Sequence, residues 1–532
     1  MAAHAANSEE LLALDPLIFS VLESLRSVST SSPAISRASV AYPELATLLI
    51  SIAQIRHELS WTTSTHPEGV AAMDTWRKQI FSLSEERDKL QGELREYLAG
   101  RGLEFEPVTV KGVARRLERD SALISFLRYK RHSGYGSSTD SLLAFVAAPD
   151  ASVRRFELGA ASDLEDLAAA WRASLGSADG RGIALETTSA TKDTSGDLLR
   201  SRLIDPCLVA FGENQPSQLH VILDDFLFLL PLDALPAKDG EPLGESLRIH
   251  VEGSTYRLLR EHDATPSTGT LLALGDVNYN ASDVENPEFN LAVARPPQAS
   301  DRGGTAKSFA SLLETRSEVE ALARLFTNEQ PVLLLGDSAT KQALVEHAPD
   351  ARYLHIATHG WFAPPEFKST LEMIEAEPLN RLTSFSRAED TVRGFAPESL
   401  CGLALAGANH GRDKNGRVPG IITAEELSTL DLSNCELAVL SACETNVGIR
   451  RAGQGIQSLQ TALHAAGART TITSLWNVDD AATRRLMEIF YTKLWSENLG
   501  KADALWQAKM ALRNEGHGPR DWAAWVLTGD PN

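Results

Sequence analysis

The sequence predicts an α/β protein whose mostly parallel sheet is flanked by helices. Short apolar, β-rich runs alternate with amphipathic helical patterns from about residue 270 to the C-terminus. Such alternation is typical of a parallel sheet that is covered on both faces. Two of the strand-like runs end on chemically active side chains, one on His359-Gly360 and the other on Cys443. In open α/β sheets the chemistry lies at the carboxyl ends of the strands, so both side chains are candidates for a site.

Length and composition limit the class of protein. The chain has 532 residues, enough for roughly two to four domains, and is 43% hydrophobic and 23% charged, as in ordinary globular proteins. A formal net charge of −20 argues against direct binding to nucleic acid, which needs a basic face. No apolar run approaches the length of about 18 residues that spans a membrane, and Glu9-Glu10 do not fit a signal peptide. We therefore expect no membrane association and a cytoplasmic location.

Cysteine usage supports the same compartment. The chain has four cysteines, and none of their spacings fits a disulfide framework or a zinc site; they are Cys207, Cys401, Cys435 and Cys443. The sequence thus predicts no metal and no cofactor. In a reducing cytoplasm a catalytic thiol stays usable.

Residues 1–109 have a helical pattern. A helix is indicated over Leu11–Leu25, followed by two amphipathic stripes that His66–Gly69 separates. The stripes consist of Leu45, Leu48, Leu49, Ile52 and Ile55, and of Trp76, Ile80, Leu83, Leu90 and Leu94. No repeat of about 34 residues is evident. We expect a helical hairpin that serves as a docking or sensing module.

Residues 110–265 have the pattern of a smaller α/β unit. Its predicted strands are Ala122–Leu127, Leu142–Val146, Val153–Leu158 and Leu219–Leu223, and its predicted helices are Asp163–Leu175 and Leu198–Leu208. The apolar segment Phe226–Leu235 is expected to form a hairpin-like element. No nucleophile and base stand together at these strand ends, so this half is predicted to be non-catalytic.

Residues 266–532 form the third predicted unit. Its strands are expected at Leu271–Gly275, Val332–Leu335, Tyr353–Thr358, Cys401–Leu405, Leu437–Ala442 and Thr470–Leu475. Its helices are expected at Glu314–Phe326, Thr340–His347, Thr423–Leu427, Ile456–Ala466, Ala481–Trp495 and Lys501–Leu512. Two long connections interrupt the pattern, a polar loop over 276–305 and a mixed-charge segment over 363–399.

His359 and Cys443 have the residue types of a cysteine hydrolase. A thiol becomes a nucleophile when a neighbouring imidazole takes its proton. The backbone N–H groups of Gly360 and Cys443 are candidates for an oxyanion hole, and a side chain at Gly360 would crowd the substrate carbonyl. The pattern alone leaves a second interpretation open, because a lone cysteine at a strand end is commonly a small core residue.

From about residue 110 to the C-terminus the sequence resembles a CHAT domain, the caspase-like module of the clan that also holds caspases and separase. The matching stretches are His355–Gly360, Leu440–Thr445, Ala466–Ala468, Ser474–Asp480 and Trp522–Trp525. The resemblance implies a cysteine endopeptidase in which His359 is the general base and Cys443 the nucleophile, and which forms a thioester acyl-enzyme. It also implies that the first half is a degenerate companion of the active half. The alternative is a catalytically silent, caspase-like interaction scaffold.

Two other features have both a functional and a structural interpretation. In separase-like relatives an acid near Asp479 and Asp480 binds a basic P1 side chain, whereas an aspartate here also suits the N-cap of the following helix. His355 shares a strand face with His359, and we expect a hydrogen-bonded core histidine rather than a second base.

Control by a partner is the remaining expectation. The segments 363–399 and 446–455 are long enough to form walls of a cleft and to move on activation. Arg450-Arg451 in the second segment is a candidate cleavage site. We expect a protein substrate, and an activating protein partner that binds the N-terminal helices.

Overall fold

The computed structural model describes most of the chain from residue 108 onward. The described ranges are 14–24, 108–132, 138–175, 194–259, 268–282, 309–312, 314–362, 401–410, 420–441 and 459–532, with isolated positions between 47 and 97. Every described position before residue 100 is helical. The packing of the expected hairpin and the segment 363–399 lie outside the described residues.

Fourteen strands occur in the described ranges. They are β1 (Ser121–His132), β2 (Ser138–Ala147), β3 (Val153–Ala160), β4 (Gln218–Ile222), β5 (Arg248–Glu252), β6 (Thr270–Val277), β7 (Val332–Gly336), β8 (Ala351–Ala357), β9 (Gly360–Phe362), β10 (Cys401–Ala404), β11 (Ile421–Thr423), β12 (Leu437–Ser441), β13 (Thr470–Ser474) and β14 (Trp525–Gly529).

Helices flank these strands. They are α1 (14–24), α2 (Val110–Arg116), α3 (Ala161–Ser174), α4 (Ser195–Leu203), α5 (Asp205–Leu208), α6 (Thr255–Leu259), α7 (Thr315–Leu325), α8 (Lys341–His347), α9 (Ala424–Leu427), α10 (459–466), α11 (Asp480–Trp495), α12 (Lys501–Asn514) and α13 (Pro519–Trp522). Within the described part of the chain, no helix combines the length and the apolar composition needed to cross a bilayer.

Eleven of these strands form one sheet, in the order β3-β2-β1-β4-β5-β14-β13-β12-β8-β6-β7, and β11-β10-β9 form a second, smaller one. Most neighbours in the large sheet are parallel; the antiparallel pairs are β2 with β3, β1 with β2, and β13 with β14. The predicted α/β class with a mostly parallel sheet is confirmed. The segment Phe226–Leu235 does not form the expected hairpin-like element; two 3₁₀ helices, Asp225–Leu229 and Leu232–Ala234, account for most of it.

The last strand joins the two halves of the large sheet. Thr528 of β14 is aligned with Val251 in a parallel pair, while Trp525 and Gly529 are aligned with Ser474 and Thr470 in an antiparallel ladder. The strands β1, β4 and β5 therefore run opposite to β13, β12, β8, β6 and β7. Their carboxyl ends lie at opposite edges of the sheet. The predicted units 110–265 and 266–532 share this sheet, and the boundary between them stays a prediction.

Each face of the C-terminal half of the sheet has its own core. Alternate residues of β6 and β8 point to opposite faces, so Leu271 and Tyr353 pack with α7, α11 and α12, whereas Leu272 and Leu354 pack with α8, α9 and α10. The central strands β6, β8 and β12 are nearly continuous apolar runs, as expected for parallel strands that are buried on both faces.

The N-terminal helix α1 carries apolar side chains both on its buried face and on its exposed face. Its Phe19 is buried beneath the first half of the sheet, and its buried Glu23 accepts a hydrogen bond of 2.6 Å from the Ser125 hydroxyl. Leu14, Leu17 and Val21 are exposed instead, at 46%, 61% and 50%. This helix thus attaches to the sheet through one face and presents apolar side chains on another.

A buried polar seam crosses β4 and β5. His220 and His250 are aligned on these neighbouring strands with their rings 5.4 Å apart, and Glu252 Oε1 lies 3.7 Å from His220 Nδ1. Burial, reinforced by His220, lowers the pKa of His250 to about 4, although Asp503 acts in the opposite direction. The seam therefore disfavours the charged form of His250.

This seam predicts loss of stability in mild acid. An unfolded chain protonates His250 near its ordinary pKa of 6.5, whereas the folded protein resists protonation down to about 4. The unfolded state therefore binds the extra proton in this window. Because of His250, the free energy of unfolding should fall by about 3 kcal/mol as the pH is lowered from 6.5 to 4. Above pH 6.5 the contribution of His250 should not change with pH. Urea unfolding at several pH values measures this.

His250→Gln should flatten that pH dependence. His347→Gln, at the end of α8, is the matched control and should keep the wild-type slope. Equal slopes for wild type and His250→Gln would contradict the assignment.

Candidate active site around His359

The backbone of His359 lies in the connection between β8 of the large sheet and β9 of the small sheet. β8 ends at Ala357 and β9 begins at Gly360, so Thr358 and His359 form the bend between them. The Thr358 hydroxyl donates to the Ala404 carbonyl, and the Ala404 N–H donates to the His359 carbonyl at 2.9 Å. One residue of β10 therefore fixes both positions of the bend.

A buried tyrosine supports the bend from the other side. The Tyr279 hydroxyl lies 2.9 Å from Thr358 Oγ1. Because the only hydroxyl proton of Thr358 goes to Ala404, the tyrosine is the donor of this bond. Tyr279 is 2% exposed, and burial raises its pKa. The hydroxyl therefore stays protonated at neutral pH and keeps donating.

The imidazole of His359 packs against two aromatic rings, with centroid distances of 5.3 Å to Tyr279 and 5.6 Å to Phe309. Its Nε2 lies 2.8 Å from the carbonyl oxygen of Ala310. A carbonyl can only accept, so Nε2 carries the hydrogen in this contact and the lone pair of the neutral ring is on Nδ1. The ring is thus held in the tautomer in which Nδ1 is the base.

The strand that leads to Cys443 is aligned with the strand that leads to His359. β8 and β12 are parallel neighbours, and Ala357 is aligned with Ser441 at their carboxyl ends. His359 follows Ala357 by two residues, and Cys443 follows Ser441 by two. Cys443 itself lies outside the described residues, as do Arg450 and Arg451.

Gly360 is buried and begins β9, where it is aligned with Leu403 of β10. The backbone of this residue thus follows directly from the His359 bend. Its place in an oxyanion hole stays a prediction.

The two neighbouring aspartates have different surroundings. Asp479 is exposed, and its Oδ1 accepts hydrogen bonds from the N–H groups of Ala481 (3.0 Å) and Ala482 (3.1 Å), so it is the N-cap of α11. Asp480 is half-buried. Burial raises its pKa, and the charges of Asp479, Glu318 and Glu314 act in the same direction, whereas His359 lowers it. Asp480 is therefore electrostatically coupled to His359.

His355 is a core histidine, as the sequence predicts. It is fully buried, with Nε2 2.9 Å from Glu318 Oε1 and Nδ1 3.2 Å from the Tyr491 hydroxyl. Both ring nitrogens are thus occupied within the core.

The sequence did not point to Tyr279, Phe309 or Ala310. The polar loop predicted from Asp276 onward includes Tyr279, whereas β6 continues to Val277 and Tyr279 packs in the core beyond it. Ala310 contributes a backbone carbonyl, which leaves no mark on residue identity. Among the described residues, no group of three His, Cys, Asp or Glu side chains is arranged to hold a metal ion.

Comparisons with known proteins place this chain in a family. Residues 193–530 match the model of the CHAT domain. A tetratricopeptide repeat protein 28 from Mus musculus is 28% identical over 211 residues, which are 37% of this chain and 8% of that protein. The chain thus spans only a small part of the length of this curated relative.

Two solved structures also match at low similarity. One is the Arg-specific cysteine proteinase gingipain R, with 10% identity, a TM-score of 0.31, and coverage of 70% of this chain and 74% of that one. The other is the Saccharomyces cerevisiae separase–securin complex, with 11% identity, a TM-score of 0.31, and coverage of 92% and 27%. The family match covers more than half of the sequence, and the chain belongs to the CHAT domain family.

Proposed function

We propose that this protein is a cysteine endopeptidase in which Cys443 is the nucleophile and His359 the general base. The observation that carries the proposal is the contact between His359 Nε2 and the Ala310 carbonyl, because it leaves the basic Nδ1 at the carboxyl edge of β8. A base in a defined tautomer, beside the strand that leads to a cysteine, is the arrangement that thiol activation needs.

The chain connectivity supports the pairing. We infer that Cys443 is near the end of β12, because two residues span at most about 7 Å. That end is aligned with the end of β8, which leads to His359. We therefore propose that both side chains belong to the same edge of the sheet.

The other cysteines are poor nucleophile candidates. Cys207, Cys401 and Cys435 are buried in the described part of the chain. Burial raises the pKa of Cys207 and of Cys435 to about 12, which keeps these thiols protonated and unreactive at neutral pH. Burial thus argues against the other three cysteines as the nucleophile, and Cys443 is the remaining candidate.

The proposed reaction has two steps. Nδ1 of His359 takes the Sγ proton of Cys443, and the thiolate attacks the scissile carbonyl carbon. The N–H groups of Gly360 and Cys443 would donate to the resulting oxyanion. The imidazolium returns the proton to the leaving amine as the C–N bond breaks and a thioester forms. His359 then deprotonates a water, and the hydroxide attacks the thioester carbonyl carbon. As the C–S bond breaks, the imidazolium returns its proton to the leaving thiolate, which gives a carboxylic acid and the free thiol.

We propose a protein substrate with a basic residue at P1. The support is Asp480, a half-buried carboxyl that is coupled to His359 and lies beside further acidic groups. An ionised carboxylate pairs well with the guanidinium of an arginine. Asp479, whose carboxylate is engaged at the helix N-terminus, has a structural role instead.

We further propose that a protein partner activates the enzyme through the N-terminal helices, in the cytoplasm, where a thiolate stays reduced. The support is α1, which is attached to the sheet through Phe19 and Glu23 and exposes Leu14, Leu17 and Val21. The segments 363–399 and 446–455, including Arg450-Arg451 as a cleavage site, are the proposed moving parts. Full turnover of the native substrate by the isolated, untreated protein would contradict this control.

A thiol-reactive peptide probe tests the proposed nucleophile. Labelling of the full chain should fall by about a thousand-fold or more in Cys443→Ala, because the attacking atom is gone, and should fall strongly in His359→Ala. Cys207→Ala is the matched control and should label like the wild type. Mass spectrometry of the labelled peptide identifies the site. A wild-type protein that the probe never labels, with or without its cellular partners, would favour the silent scaffold.

The role of Asp480 is tested by P1 preference. Asp480→Asn should lower kcat/KM for arginine or lysine at P1 by about 10- to 100-fold and leave peptides with uncharged P1 residues nearly unchanged. Because the pKa of Asp480 is raised, the wild-type preference should also fade as the pH falls through that pKa and the carboxyl becomes neutral. Asp479→Ser keeps an N-cap and should keep the preference. An unaltered P1 ranking in Asp480→Asn would overturn the assignment.

A further inference from the structure

The side chain of Asn409 binds the backbone of Phe309 on both sides. The Phe309 N–H donates to Asn409 Oδ1 at 2.7 Å, and Asn409 Nδ2 donates to the Phe309 carbonyl at 3.0 Å. A backbone N–H can only donate and a carbonyl can only accept, so these two bonds define the orientation of the amide. The asparagine thus acts towards Phe309 as a neighbouring strand would.

This clamp lies one residue from the carbonyl that holds His359. Ala310 follows Phe309, and its carbonyl oxygen is 2.8 Å from His359 Nε2. The ring of Phe309 also packs on the imidazole, with 5.6 Å between centroids. By fixing the Phe309 backbone, Asn409 fixes both the ring contact and the acceptor of Nε2.

Asn409 is itself tied to the segment on the other side of the imidazole. Its Nδ2 also donates to Asn280 Oδ1 at 3.0 Å, and its backbone N–H donates to the Tyr279 carbonyl at 2.8 Å. Tyr279 carries the second ring that packs on His359. One side chain therefore connects the two segments that enclose the base.

We propose that Asn409 is a positioning residue for His359, which holds the Ala310 carbonyl where it fixes the Nε2–H tautomer and leaves Nδ1 basic. If the ring carried its hydrogen on Nδ1, the Nε2 lone pair would face the Ala310 oxygen at 2.8 Å, and two acceptors at that distance repel each other. The importance of this tautomer for thiol activation rests on the proposed function. The effect of Asn409 on the tautomer does not.

The test compares Asn409→Asp with a matched control in the full chain. Asn409→Asp keeps the size and the acceptor for the Phe309 N–H, but removes the donation to the Phe309 and Asn280 oxygens. Asn434→Asp is the control, because Asn434 makes a similar amide-to-carbonyl bond, to Pro349 at 2.9 Å, in an exposed turn. Two readouts are taken: ring ¹⁵N chemical shifts of labelled histidine, assigned with His359→Gln, and the pH profile of Cys443 alkylation.

In the wild type and in Asn434→Asp we expect one tautomer at His359, with hydrogen on Nε2. In Asn409→Asp we expect a mixture of both His359 tautomers. We also expect Cys443 to be alkylated about 10- to 100-fold more slowly at neutral pH, because a small misplacement of a reacting group reduces the rate by about this factor. A folded Asn409→Asp with wild-type shifts and a wild-type profile would overturn the proposal. A lowered Tm without these changes would also overturn it, because it would show a structural role alone.

If Asn409→Asp does not fold, Asn280→Ala carries the test. This change removes one acceptor of the Asn409 amide and should shift the tautomer in the same direction by a smaller amount; no shift would overturn the proposal. The two hypotheses fail differently. A His359 tautomer that responds to Asn409 in a protein that no peptide probe labels would refute only the peptidase, whereas probe labelling with an unresponsive tautomer would refute only the clamp.

Discussion

The parallel alignment of β8 with β12 is the constraint on which the proposed site depends. Five aligned pairs, from Tyr353 with Leu437 to Ala357 with Ser441, fix how far each strand extends towards the carboxyl edge. Side chains alternate between faces along a strand, so a slip of one residue would exchange the faces of the whole strand. The buried contacts of His355 with Glu318 and Tyr491 oppose such a slip. A slipped strand would break these contacts and leave unpaired polar groups in the core. A core histidine thus helps to place His359 four residues later.

The position of β14 explains why the two halves of the sheet are not equivalent. It pairs in parallel with β5 and antiparallel with β13, and this reverses the direction of the strands across the junction. The carboxyl ends of β1, β4 and β5 therefore lie at the edge opposite to His359. This half contributes area to the sheet and an attachment surface for α1, through Ser125 and Glu23, but none of the strand ends beside His359.

The sequence revealed the elements whose pattern is set by burial on both faces. The apolar runs of β6, β8 and β12 predict strands because central parallel strands, buried on both faces, are largely apolar. The junction strands β5 and β14 were missed. β5 contains Arg248, His250 and Glu252, which interrupt an apolar pattern. β14 is recognised as a strand only from its pairing with β5 and β13, which are distant in the sequence.

The residues of the candidate site also divide into those that the sequence predicts and those that it does not. His359 and Asp480 were visible because their residue types carry chemistry, and the N-cap role of Asp479 was one of two open interpretations. Tyr279, Ala310 and Asn409 were not found, since their roles come from tertiary contacts: a buried hydroxyl, a backbone carbonyl and an amide that imitates a strand. Cys443 stays a prediction from the sequence and from the register of its strand.

The most direct test of the central claim is the pH dependence of Cys443 alkylation by a small reagent, measured by mass spectrometry in wild type and His359→Ala. If His359 is the base for this thiol, wild-type Cys443 should react at neutral pH with an apparent pKa below the ordinary value of about 8.5, and His359→Ala should return it towards that value. Superimposable profiles for the two proteins would show that His359 does not act on Cys443, and would contradict the account.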